Sequence, residues 1–162
     1  MNPRAGSGRE LLRHAVATLA YRGGKALRGA PESFATFRIG DATRPPVKLV
    51  AHIGDLFDWA LLMAKGKTAW KDSEPLPWNQ EVERFFGTLR AFDDYLASEE
   101  PLHAPVEQLF QGPVADALTH VGQLAMLRRV AGAPIRAENY AVAEIVAGRT
   151  GADQAAARRE FD

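Results

Sequence analysis

His52, Asp116 and His120 are the residues whose types could do chemistry. Imidazole and carboxylate are donors for divalent cations, and both exchange protons near neutral pH. His52 stands in "LVAHIGDLFDWAL" and the other two stand four residues apart in "DALTHVGQLAMLRRVAGAPI". A spacing of i, i+4 puts both side chains on one helix face, where they can share a cation or form an ordinary solvated pair. The spacing alone does not separate these readings, because each of the four histidines has an acid three or four residues away: Glu10 for His14, Asp55 for His52, Glu107 for His103 and Asp116 for His120.

The helices that must carry them follow from periodicity. At about 100° per residue, Leu49, Leu56, Trp59 and Met63 share the face of His52, so this histidine lies within an apolar stripe. A buried imidazole needs a hydrogen-bond partner or a metal. Leu56, Trp59 and Met63 either line an apolar substrate pocket or simply pack the core. Asp55 flanks the stripe at about 60° and is the alternative carboxylate for a cation at His52. In the later helix Asp116, His120, Gln123, Leu127 and Val130 form one stripe, polar at its start. Val114, Leu118, Val121, Leu124 and Ala125 form another. Such a helix either packs between others around a polar notch or turns its polar stripe to water.

The remaining pattern is helical. Helices are expected over about Arg9–Ala26, from Pro45-Pro46 to about Ala64, over Trp78–Ala97, and over Val106–Gln111 continuing as Pro113–Ala131, with Gly112-Pro113 kinking or dividing it. Glycine in "YRGGKALRG" is expected to end the first helix at about Ala26. Trp78, Val82, Phe85, Leu89, Phe92 and Leu96 repeat at helical spacing as one buried stripe. A short last helix is expected near Glu138–Ala147, followed by a tail. No alternating run is long enough for a strand. The expectation is an all-α four-helix bundle in one domain, residues 1–162.

Composition excludes several function classes. The chain has no cysteine, so disulfides, thiolate metal sites and a cysteine nucleophile are absent. Twenty basic and twenty acidic residues cancel without a long block of one sign, which argues against nucleic acid as the main partner. "MNPRAGSGRE" lacks the apolar run of a signal peptide, and no window approaches the roughly 20 apolar residues of a membrane span. A cytoplasmic location is therefore expected. Gly24-Lys25 is not a phosphate loop, since the full GxxxxGK[ST] pattern and its preceding strand are missing. No GxSxG elbow exists. His14, His103, Asp93-Asp94, Glu99-Glu100 and Arg128-Arg129 are expected on solvated faces.

Two segments together resemble a known family. "LVAHIGDLFDWAL" followed by "LTHVGQLAMLRRVAGAPI" is similar to the DinB/YfiT-like superfamily of helical bundles, over roughly Leu11 to Ile135. In that family a second-helix histidine meets an H-x3-H pair on a later helix. His52 corresponds to the first and His120, followed by Val121-Gly122-Gln123, to the last. The remaining position is Asp116, where this chain departs from the usual histidine. The resemblance implies a divalent metal (zinc, nickel, iron or manganese) on His52, Asp116 and His120, or a site that has lost its metal. Gln123 would orient a ligand or simply meet water. An open position on such a metal would activate water or a low-molecular-weight thiol. The resemblance further implies a thiol-dependent transferase or isomerase acting on a small molecule, in a chain that forms homodimers. A non-catalytic binding or dimerisation module is the alternative.

Overall fold

The computed structural model describes residues 3–161. Met1, Asn2 and Asp162, which the expected single domain also includes, lie outside the described residues. The chain is mostly helical and fits the all-α class. Four long helices dominate: α1 (Pro3–Leu27), α2 (Pro46–Ala64), α3 (Trp78–Ala97) and α5 (Ala115–Val130), with the one-turn α4 (Val106–Leu109) before the last. Helices α1 and α2 each pack against both α3 and α5, so the four close a ring around one core. No described helix is long and apolar enough to cross a membrane.

The core is made by the stripes the periodicity predicts. Phe85, Leu89, Phe92 and Leu96 of α3 are buried against Ile53 and Phe57 of α2 and Leu12, Val16 and Leu19 of α1. Each such side chain contributes roughly 2 kcal/mol through the apolar surface it removes from water. Trp78 and Val82 lie partly buried at its edge.

The first helix begins earlier than expected and ends at Leu27, one residue past the expected Ala26, so Gly23 and Gly24 do not interrupt it. They lie inside α1 at its contact with α3. A Cβ on Gly23 would stand 2.4 Å from the Phe85 ring, so the missing side chain admits the aromatic that joins the two helices. The chain turns only at Gly29, whose φ of +64° is a left-handed conformation that glycine adopts freely.

The Gly112-Pro113 break takes a specific form. Residues Phe110–Val114 make one turn of π-helix joining α4 to α5. Proline has no amide hydrogen for the i→i−4 ladder, and a widened turn takes up the mismatch. Gly112 packs against the Trp59 indole, which an added Cβ would meet at 3.6 Å.

Three expectations are corrected. The helix at Glu138–Ala147 does not form. That segment holds a two-residue strand β1 (Ala137–Glu138), paired antiparallel with β2 (Glu160–Phe161), then a 3-10 turn at Tyr140–Val142. A tertiary anchor overrides local helix propensity here. The buried Glu138 carboxylate accepts from the Tyr21 hydroxyl at 2.6 Å and from Lys25 Nζ at 2.7 Å. Asn139 caps the turn by accepting from the Ala141 amide. Burial and the hydrogen bond to Glu138 both push the Tyr21 phenol well up. Tyr140 lies edge-on to Tyr21 and under the Arg22 guanidinium, away from the histidines.

Arg128 and Asp93 are buried, not solvated. Arg128 donates to the carbonyls of Ala26, Arg28 and Ala133, which closes the C-terminal ends of α1 and α5 over each other. Asp93 accepts two bonds from Arg13 at 3.1 and 3.3 Å. A fork-to-fork pair of this kind lets charged residues enter an interior that would reject either alone. His14, His103, Asp94, Glu99, Glu100 and Arg129 are exposed as expected.

Candidate metal centre

Helix α2 starts on Pro46, a residue suited to a first turn, and carries His52 two turns later. The neighbours of His52 along the stripe, Leu49 and Leu56, are buried. They hold α2 against α5 so that His52 looks across the groove between the helices. Asp116 lies in the first turn of α5 and His120 one turn further. One oxygen of Asp116 stands 3.4 Å from His52 Nε2, and the other stands 3.4 Å from His120 Nε2. The imidazoles meet edge to face with centroids 4.9 Å apart. One ligand atom from each of the three residues falls within 4.8 Å of the others, a group able to hold a metal ion.

Gln123 decides the proton arrangement. Its Oε1 lies 2.9 Å from His120 Nδ1. With the amide in this orientation its oxygen accepts from Nδ1–H, and Nε2 faces Asp116. With Nδ1 protonated, a neutral His120 turns a lone pair toward a carboxylate oxygen. Water or a cation shared with His52 can satisfy both, since the Asp116 side chain is 47% exposed. The 3.4 Å separations exceed the roughly 2.7–3.2 Å of a good N–H···O bond. The cluster therefore is not closed by tight hydrogen bonds. Two imidazoles and one carboxylate suit zinc, nickel, iron or manganese, and Gln123 fixes one imidazole from behind as such centres require.

A cavity of about 550 Å³ opens onto this cluster. His52, Asp116, His120 and Gln123 line it. Leu49, Leu127, Met126 and Ile39 add apolar surface to the lining, and Thr43 and Arg44 complete it. Leu56 and Trp59 do not line it. They line a second hollow of about 440 Å³ beside the π-turn, which also reaches Asp116. Met63 is partly buried against the core.

Asp55, the alternative carboxylate, is committed elsewhere. Its Oδ1 accepts from Arg84 at 2.6 Å and its Oδ2 from the Ser73 amide at 2.9 Å. Burial alone would raise its pKa, but these bonds win and hold it below the ordinary value.

Sequence reasoning missed Trp70, Arg44, Ile39 and Met126. Trp70 follows α2 in an extended loop, yet its ring lies edge-on to His52 at 5.7 Å and to Trp59 at 5.8 Å, walling one side of the cluster. An aromatic in a polar loop was the available signal. Arg44 and Ile39 carried none, because a loop has no period from which to infer a facing side. No protein-family model, curated protein or solved structure matches this chain.

Proposed function

We propose that this chain is a metal-dependent enzyme of the DinB/YfiT-like kind, with one divalent cation on His52, Asp116 and His120. The observation that carries the reading is the Asp116 carboxylate set between two Nε2 atoms at 3.4 Å, with Gln123 behind one ring. The reaction class we favour is a transferase or isomerase that uses a low-molecular-weight thiol. A cation bound there supplies Lewis acidity beside a cavity of the size small-molecule sites have. The chain's own residues do the rest. His52 and His120 donate through Nε2, Gln123 holds the His120 tautomer, and Asp116 offsets one unit of the cation's charge. Trp70 packs edge-on against His52 with Trp59 behind it, while Leu49, Leu127 and Met126 receive the apolar part of a substrate.

The test is metal analysis of protein purified without chelator, with melting curves in added zinc and nickel. About one ion per chain is expected, with a raised melting temperature, because a ligand that binds only the folded state stabilises it. Both should be lost in His52→Ala. No metal and no shift in the unaltered chain would leave a helical binding or dimerisation module.

A further inference from the structure

We propose that Arg44 makes the cavity selective for small molecules with one carboxylate and an extended apolar segment, the carboxylate lying at Arg44 and the far end at the histidines. The proposal deepens the functional reading above and rests on it for which end of the ligand would react.

The cavity is chemically graded. Its lining joins the donors to the buried Leu49 and Leu127 and to Ile39 and Met126, both more than half exposed. Exposed apolar side chains beside a cavity gain most from a ligand that covers them. Arg44 is the cavity's one cationic lining residue, and among the described residues it has no hydrogen-bond or ion-pair partner. Asp55, Asp93 and Glu138, by contrast, each hold a basic side chain within hydrogen-bond distance.

The loop that carries Arg44 is fixed. Thr43 Oγ1 donates to the Gly40 carbonyl at 2.8 Å and accepts from the Ile39 and Gly40 amides. Arg38 donates to the Thr43 carbonyl at 2.8 Å. Pro45 and Pro46 follow and are buried. The backbone at Arg44 is thus pre-set, and binding costs mainly the ordering of one side chain. A lone guanidinium matches a single negative charge and forks onto a carboxylate. Arg44 and the histidines line the same cavity, and the helix between Pro46 and His52 rises about 9 Å at roughly 1.5 Å per residue, so a chain of about eight atoms is a suitable probe length.

The experiment is calorimetric titration of the full chain with octanoate, octanol and octyl phosphate, with and without saturating zinc. Octanoate should bind at least about tenfold more tightly than octanol, the worth of one charge-assisted hydrogen bond. In Arg44→Gln that preference should vanish with zinc content and octanol binding unchanged, and in Arg44→Lys it should survive in part. Three outcomes overturn the proposal: no octanoate binding, an octanoate preference that persists in Arg44→Gln, or octyl phosphate binding more tightly than octanoate. His120→Ala separates the two readings. If the unaltered chain takes up no zinc while His120→Ala still prefers octanoate through Arg44, the metal reading fails and the carboxylate subsite stands.

Discussion

Helix α2 carries two polar clusters about 60° apart on its circumference, and they are built on opposite plans. Around Asp55 the cation belongs to the chain. Arg84 reaches over Gly54, where a Cβ would lie 2.9 Å from the guanidinium, and bonds Asp55, Asp58 and the Ala51 carbonyl. Both Asp55 oxygens are used and the carboxylate is buried. Around Asp116 the partners are two imidazoles at 3.4 Å, and its side chain is 47% exposed. The first cluster has its cation built in, and Arg84 also faces the buried Glu81 at 3.8 Å, whose Oε2 has no hydrogen-bond partner among the described residues. The second gathers donors toward a point where the chain supplies no permanent positive charge, which is the condition for accepting a cation from solution.

The sharpest way to break this contrast is to add metal. Zinc at about a thousand times its dissociation constant should stabilise the chain by about 4 kcal/mol. Asp116→Ala should abolish the shift and Asp116→His should keep it, read from melting curves. Asp55→Ala should leave metal content unchanged. Loss of metal in the Asp55 variant alone would mean that the two clusters have been assigned in reverse.

Asp55→Ala should nevertheless cost about 3 kcal/mol in urea denaturation, because it strips a half-buried guanidinium of its closest partner. The same residue predicts the acid limb. Its folded pKa is depressed below 3.8, so the stabilisation is fully present above that pH and is lost as pH falls below it. Asp55→Asn should therefore lose less stability than the unaltered chain on acidification below pH 3.8. Equal slopes would show that Arg84 does not hold this carboxylate.

Smaller effects sharpen the comparison. Gln123→Ala should weaken zinc binding by about tenfold, measured by competition with a chelator, since it frees the His120 ring to turn. Unchanged affinity would place Gln123 outside the centre. Asp58→Asn removes an Arg84 partner that is 57% exposed, and it should change stability by only about 0.5 kcal/mol.

The fold was legible where the 3.6-residue period was strong. The α3 stripe and the start of α2 at its prolines lie where the pattern puts them. Legibility failed where a distant partner outvoted local preference. Gly23 is a helix breaker by propensity and a helix contact because Phe85 lies against it. Glu138 looked like a helix start and became a strand because Tyr21 and Lys25 hold its carboxylate. At the centre, spacing placed Asp116 and His120 on one face but gave no reason to prefer them over three other acid–histidine pairs.

What the sequence determined by itself is the helical content, the apolar stripes, the absence of cysteine and the short set of residues that could ligate a metal. These follow from residue type and spacing along one helix. What only the tertiary structure decided is which carboxylate meets which nitrogen. Asp55 is three residues from His52 in the chain and went to Arg84, while Asp116, sixty-four residues away, came to lie against His52. Helix packing sets that choice, because side chains meet across a groove according to how two helices are rotated about their axes. A sequence fixes the faces of each helix and leaves that mutual rotation to the core.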